Sequence, residues 1–274
     1  MLRKIEREVE IAAAFLLLAL LLVSLVLPGA PGTSESPRDV SPRHPLGVDG
    51  FGRDNLVRLL IALRNTILGP ACGAIIVALL GIPLGIAMAL WRGPLEGIVL
   101  HLRAVTDVVP RVLFFFLVVV RIPALDHRIP AFALLSLLFV PSLALGIRNA
   151  VFGAFSRSQI RSLLSLPARR REIGLREVLW LGCRKEAADA VLARFVELVA
   201  LESVLACFGR FSGEGASLGS LLMPPYTDSR SSAIALALLF LVVYLPLRVG
   251  AEARFTRKFT AQGRRSVQRA DLPG

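Results

Sequence analysis

The run HPLGVDGFGRD, from His44 to Asp54, places three glycines, two aspartates, an arginine and a histidine within eleven residues. Residues of these types could cradle a phosphate, hold a metal ion or tie a tight turn. A phosphate loop follows a strand and ends in Gly-Lys-Ser or Gly-Lys-Thr, and neither feature is present here. Glycine permits unusual backbone angles, proline stiffens the chain, and aspartate and arginine can close a loop, so we predict a structural turn. Its residues are His44, Pro45, Gly47, Asp49, Gly52, Arg53 and Asp54.

Signatures of catalysis and of cofactor binding are missing from the sequence. There is no His-Glu-x-x-His or Gly-x-Ser-x-Gly pattern, and the glycine-rich GEGASLGS lacks the lysine of an ATP-binding loop. The histidines and cysteines are too scattered for a metal site or a disulfide framework. They are His44, His101, His127, Cys72, Cys183 and Cys207. We therefore expect no catalytic residue, metal or cofactor on this chain, and energy from ATP would enter through another polypeptide.

Three charged residues in apolar stretches are candidates for function, because a charge inside a bilayer usually faces protein or a water-filled cavity. Asp107 and Arg111 are four residues apart, so a helix would make them neighbours that either pair or extend to the membrane surface. Glu202 is the deepest of the three in its apolar stretch. Two interpretations of Glu202 stay open: a structural ion pair or backbone hydrogen bond, and a role in a transport pathway.

The elements that must position these residues are apolar helices. Hydrophobic residues make up 55% of the 274 residues, and the mean hydropathy is +0.67. A helix needs about 20 apolar residues to cross a bilayer core of about 30 Å. The sequence therefore predicts an all-α polytopic membrane protein of about six transmembrane helices, with an interfacial helix before the second. The predicted spans are 11–28, 66–90, 104–125, 130–153, 189–208 and 232–248.

Basic residues indicate how these spans are oriented. The net charge is +12, and arginine and lysine concentrate in the loop 154–188 and the tail 251–274. By the positive-inside rule, both segments and both termini are predicted to be cytoplasmic, and the turn at residues 44–54 lies outside. The predicted divisions are the N-terminal segment with the first span, the outer loop with the interfacial helix, the membrane core and the basic tail. They cover residues 1–28, 29–65, 66–250 and 251–274.

Small residues recur at four-residue steps in the second predicted span. They are Gly69, Gly73, Gly81, Gly85 and Ala89. Such a stripe lets another helix approach closely. Two interpretations fit it equally, an interface that moves and an interface that is static.

The run at residues 44–54 resembles a signature that follows the first span in the dipeptide, oligopeptide and nickel importer permeases, specifically their C-type subunit. The family form is His-Pro-Leu-Gly-Thr-Asp, about two residues, then Gly-Arg-Asp, and this chain has Val48 in place of the threonine. Three later stretches are similar to the family in the same order: LRAVTDVVP, LESVLACFG and SLGSLL. In the second, Glu202 and Gly209 match at the family's spacing; in the third, Leu218 replaces a tryptophan. The resemblance covers roughly residues 10 to 250.

The resemblance implies a type I, MetI-like permease bundle in the bacterial cytoplasmic (inner) membrane. It implies uptake of peptides or a related small solute by alternating access. The implied partners are a second permease subunit, forming a heterodimer, ATP-binding cassette subunits that carry ATP and Mg, and an extracytoplasmic solute-binding protein. No nucleic acid is expected, because the positive charge is assigned to topology and to lipid head groups.

The cytoplasmic loop departs from the family pattern of Glu-Ala-Ala, three residues and Gly, which forms a short helix in a groove of the ATPase. Counted back from Gly182, that place holds Arg176-Glu177-Val178. We predict the segment 171–182 as the coupling helix, and its residues assigned to the ATPase contact are Arg171, Glu172, Arg176, Glu177 and Gly182. Because the pattern has diverged, a degenerate membrane scaffold that does not transport is the alternative. A membrane enzyme is disfavoured by the missing catalytic patterns.

Overall fold

The computed structural model describes residues 19–20, 22–23, 42, 44–49, 52–90, 94–108, 111–122, 127–154, 165, 184–209, 211, 215–222 and 233–243. Within these residues every regular element is helical, beside an isolated antiparallel bridge between Val48 and Asp54. The all-α prediction is confirmed for this part of the chain. The helices are α1 Asn55–Leu90, α2 Pro94–Val108, α3 Arg111–Arg121, α4 Arg128–Ser136, α5 Val140–Ala154, α6 Arg184–Cys207 and α7 Ala233–Val243.

Helix α1 joins two elements that the sequence analysis kept apart. It has 36 residues, or about 54 Å at 1.5 Å per residue. The predicted interfacial helix and the predicted second span are continuous in it, with no interruption at residue 66. Thr66 lies within the helix, where its hydroxyl donates to the carbonyl of Ala62 at 2.9 Å. A hydroxyl satisfied by the preceding turn does not interrupt a helix, which is why the polar residues here do not mark an end.

The predicted fourth span, 130–153, corresponds to α4 and α5, which a short 3-10 segment, Leu137–Phe139, connects. The run Arg128–Phe152 is long and apolar enough to cross a membrane, and so is α1. Thus two helices of the described chain have the length and composition of membrane spans.

The other predicted spans have different outcomes. The span 104–125 is divided between α2 and α3, whose 15 and 11 residues are each shorter than a membrane span. Pro110 stands between them in the sequence, and proline interrupts helices because it lacks an N–H and crowds the preceding turn. Residues 189–208 fall almost wholly within α6, and 232–248 overlaps the shorter apolar helix α7. Only four residues of 11–28 are described.

Helix α1 packs along α4, α5 and α6 through its small residues. A Cβ atom added at Gly69 would lie 2.8 Å from the ring of Phe132, and one added at Gly81 would lie 2.8 Å from Leu143. At Gly85 it would collide with the carbonyl oxygen of Ala144. The glycine stripe is therefore a close helix interface in this structure, at positions where no larger side chain fits.

Candidate functional site

The turn at residues 44–54 forms the N-terminal cap of α1. The Asp54 carboxylate accepts hydrogen bonds from the backbone N–H groups of Leu56 at 2.7 Å and Val57 at 3.4 Å. These groups have no partner within the first turn of a helix, and a capping aspartate satisfies them. The other Asp54 oxygen lies 2.8 Å from Nδ1 of His44, which donates to it. His44 and Asp54 therefore join the two ends of the turn.

Asp49 ties the middle of the turn to the helix. Its Oδ1 accepts from the backbone N–H of Arg53 at 2.9 Å, and its Oδ2 accepts from the guanidinium of Arg58 at 3.0 Å. Both side chains of the Asp49–Arg58 pair are only 7% exposed. The sequence analysis named Arg53 as the arginine that would tie the turn. In the structure the guanidinium at Asp49 belongs to Arg58, one helical turn further on.

Backbone hydrogen bonds complete the turn. The N–H of Gly47 donates to the carbonyl of His44 at 2.9 Å, directly across Pro45, and the N–H of Asp49 donates to the carbonyl of Arg53 at 2.8 Å. Gly47 and Gly52 have φ angles of 74° and 75°, which side chains disfavour. These contacts hold residues 44–49 and 52–54 in a turn that leads directly into α1.

Glu202 forms a buried ion pair between two helices. Its Oε1 lies 3.4 Å from Nε of Arg128, at the start of α4. Glu202 is 0% and Arg128 4% exposed, and the Arg128 guanidinium lies 5.6 Å from the centre of the Phe211 ring. The contact is the structural ion pair that one of the two interpretations named. The sequence analysis missed Arg128 because it lies two residues before the predicted span. The sequence did contain a signal for the pair, namely a glutamate inside one apolar span and an arginine at the start of another.

The segment that follows α6 is fastened to three helices around this pair. We call residues 215–222 the strap. Its carbonyl at Gly215 accepts from Arg128 of α4 at 2.9 Å, and its carbonyl at Ala216 accepts from Asn65 of α1 at 2.9 Å. The N–H of Leu218 donates to Oγ1 of Thr66 at 2.9 Å.

Helix α6 supplies the remaining contacts of the strap. The Cys207 thiol donates to the carbonyl of Gly219 at 3.1 Å. The hydroxyls of Ser217 and Thr66 lie beside the Glu202 carboxylate. Residues from SLGSLL and from LESVLACFG, which are separate in the sequence, therefore meet in one polar cluster.

Asp107 belongs to an exposed ion pair within one helix. It lies at the end of α2, with its side chain 44% exposed, and its carboxylate accepts from Nε of Arg103 at 3.2 Å. Arg111 begins the separate helix α3. Residues 109 and 110 lie outside the described residues, and the expected contact between Asp107 and Arg111 stays a prediction.

Two further ion pairs were not predicted. Arg194 donates to Glu197 at 2.7 Å within α6, and its guanidinium lies 5.8 Å from the Phe139 ring centre. Arg148 of α5 pairs with Glu96 of α2, and thereby connects α2 to the main helix bundle. Neither pair is as deeply buried as Arg128 and Glu202.

The predicted coupling residues Arg171, Glu172, Arg176, Glu177 and Gly182 lie outside the described residues. Among the residues that are described, no group of three or more His, Cys, Asp or Glu side chains could hold a metal ion. The polar groups of the 44–54 turn bind within the turn and at the start of α1, and those of the strap bind side chains of α1, α4 and α6. Their arrangement suits the fastening of helices.

No family model matches the chain, and no curated protein matches it significantly.

Proposed function

We propose that the chain is a membrane-spanning permease subunit of an ATP-driven, binding-protein-dependent importer. The observation that carries this proposal is the 44–54 turn. Its residues resemble the family signature in type, spacing and position, and in the structure they cap the long apolar helix α1. A capped helix that begins in a polar turn and continues through apolar sequence is what a permease needs at its outer face.

The arrangement of charge supports the same proposal. Ionisable residues within apolar helices are rare and normally pair with one another inside a bundle. Arg128 and Glu202 do so between α4 and α6. In contrast, α1 exposes Ile75 at 58% and Leu79 at 67%, which suits a lipid environment.

The finer parts of the proposal come from the resemblance. The bundle would have about six spans and the type I, MetI-like arrangement, in the bacterial cytoplasmic membrane with both termini inside. A second permease subunit, two cassette ATPases holding ATP and Mg, and an external solute-binding protein would complete the importer. Peptides or a related small solute would cross by alternating access between helices.

Uptake by reconstituted vesicles tests this function. Vesicles containing the complete set of subunits should accumulate a labelled peptide when ATP is supplied, and vesicles lacking only this chain should not. Equal uptake with and without the chain, while the other subunits remain assembled, would favour the alternative of a non-transporting scaffold.

Crosslinking tests the coupling segment separately. Single cysteines placed along residues 171–182 should crosslink to the ATPase subunit. The control is Pro42→Cys, at an exposed position two residues before the outer turn, and it should give no crosslink. Absence of a crosslink at every position of 171–182 would reject this segment as the coupling helix.

A further inference from the structure

The strap differs from an ordinary surface loop in the source of its hydrogen bonds. Its backbone groups at Gly215, Ala216, Leu218 and Gly219 each bond to a side chain of α1, α4 or α6. Loops normally satisfy their backbone groups with water or with their own turns. The strap also has bonds of its own, from the N–H of Leu221 to the Ser217 carbonyl and from the N–H of Leu222 to the Gly219 carbonyl. The four contacts with side chains of the helices therefore determine where the strap lies against the bundle, while its internal turn is held by its own bonds.

Apolar contacts seat the strap at the end of the bundle where α1 begins. Leu218 and Leu221 are 0% and 1% exposed, and they belong to one hydrophobic cluster with Leu59 and Leu63 of α1. Leu46 of the 44–54 turn packs against the same cluster. The outer turn and the strap therefore share a single core.

The strap also lies against the backbone of α6. A Cβ atom added at Gly219 would lie 2.8 Å from Cα of Ser203 and collide with its carbonyl oxygen. Only glycine permits this approach. A small rotation or shift of α6 would therefore separate the two backbones and lengthen the Cys207 contact.

The backbone is strained at Phe211, four residues before the strap. Phe211 has a φ of 61°, a left-handed conformation that costs free energy for any bulky residue. Its ring is 1% exposed and is held 6.1 Å from the Phe132 ring and under the Arg128 guanidinium. Release of Arg128 would therefore remove one of the contacts that hold Phe211 in this conformation.

We propose that the strap is a releasable lock, in which Thr66, Arg128 and Glu202 hold α1, α4 and α6 together where the strap crosses them and must let go for the bundle to open there. The link to opening rests on the proposed function. The lock itself is a property of this chain and can be measured without transport.

Cys207 reports whether the strap is closed, because its half-buried thiol donates a hydrogen bond to the Gly219 carbonyl of the strap. In a Cys72→Ala, Cys183→Ala background, Cys207 is the remaining cysteine, and the rate of its modification by N-ethylmaleimide measures release. Thr66→Val should raise this rate by roughly tenfold, since it removes the acceptor of a buried backbone N–H while keeping the side-chain shape. Glu202→Gln should raise it at least as much, because it leaves Arg128 buried without its counter-charge.

Two matched variants act as controls. Thr66→Ser retains the hydroxyl, and Glu197→Gln makes the same chemical change as Glu202→Gln on the same helix, at a side chain that is 38% exposed. Both should stay within about twofold of the background rate. If Glu202→Gln fails to fold, the comparison of Thr66→Val with Thr66→Ser still decides. Unchanged labelling in Thr66→Val, or equal increases in the controls, would overturn the lock.

The role in opening has its own readout in the reconstituted importer. Cys207 should be labelled several times faster during turnover with ATP than at rest, and the lock has no part in opening if uptake proceeds with no change in labelling. If the importer shows no uptake at all, the proposed function fails, while the effect of Thr66→Val on labelling still tests the lock.

Discussion

The Arg128–Glu202 pair is the most consequential contact at the scale of single residues. Both groups are buried, so neither can exchange its partner for water when the other is removed. A buried pair adds little over a well-packed apolar pair, yet the loss of one member is costly because a charge is left uncompensated. The stability of the chain therefore depends on keeping or removing both charges together.

Glu202→Gln should lower the free energy of unfolding by about 3 kcal/mol, measured as the loss of helical circular dichroism in detergent. Glu197→Gln, at the partly exposed pair with Arg194, should cost less than about 1 kcal/mol. Replacing both partners, as Arg128→Met with Glu202→Leu, should recover most of the loss. A double variant as unstable as Glu202→Gln would show that the pair contributes through something other than buried charge.

The glycines of the 44–54 turn give a second prediction at this scale. Gly47→Ala and Gly52→Ala should each lower stability by about 1 to 2 kcal/mol, since both have a positive φ. Gly97→Ala in α2 is the control, because the space around its Cβ is open and alanine favours a helix. Thermal unfolding in detergent would compare the three variants. A loss at Gly97 equal to those at Gly47 and Gly52 would contradict the argument from backbone angle.

At the scale of elements, α1 shows how a short polar motif determines where a long helix begins. Asp54 satisfies the first N–H groups, and Asp49 holds Arg58 one turn later. The glycine stripe then sets how closely α4 and α5 approach. The cap and the stripe act at different points of the same helix, so they can be tested independently.

Asp54→Ala should destabilise the first turn of α1 by about 1 kcal/mol, whereas Asp54→Asn keeps a capping oxygen and should have a smaller effect. Hydrogen exchange at the Leu56 and Val57 amides measures this, with faster exchange expected in Asp54→Ala. Asp107→Ala, at an exposed pair, should leave those amides unchanged. Equal exchange in the alanine and asparagine variants at residue 54 would argue against capping.

Gly85→Ala should lower stability by about 1 to 3 kcal/mol, because the added methyl would displace Ala144 or Ile147 on α5. Gly146→Ala, on α5 itself, is the matched control, since its Cβ would meet no atom within 4 Å. Detergent unfolding of both variants would show whether the close interface persists. If Gly85→Ala is as stable as Gly146→Ala, close packing of α1 against α5 at Gly85 does not contribute to stability.

The sequence predicted elements better than it predicted contacts. Apolar runs of sufficient length located α1 and the α4–α5 rod, because hydropathy acts along the chain. Within the run 104–125, whose composition is apolar on both sides of Pro110, the described residues belong to two helices, α2 and α3. Likewise, Glu202 was found by its unusual surroundings, whereas Arg128 and Thr66 were not. Their roles come from residues that lie 74 and 152 positions away along the chain, which no local pattern contains.

At the scale of the whole molecule, the distribution of apolar surface is the main feature. Large hydrophobic side chains are exposed on α1, at Ile75 and Leu79, and on α2, at Ile98 and Val105. In water, contiguous patches of this kind favour association. Surrounded by lipid, the same surfaces have a favourable environment, as the proposed function requires.

A membrane location predicts that the chain resists extraction. After an alkaline carbonate wash, which releases proteins held at the surface, the chain should remain in the membrane pellet. A peripheral protein of the same cells is the control and should appear in the supernatant. Recovery of this chain in the supernatant would contradict the proposed location.

The length of α1 has a mechanical consequence. The helix is about 54 Å long, whereas the hydrocarbon it would cross is only about 30 Å thick. Pro70 and Pro83 lie inside the helix, and each removes an N–H from the hydrogen-bond ladder, so bending would concentrate at these two points. Helix α1 would therefore flex at defined positions along its length, rather than swing as one rigid piece, when the faces of the bundle move relative to one another.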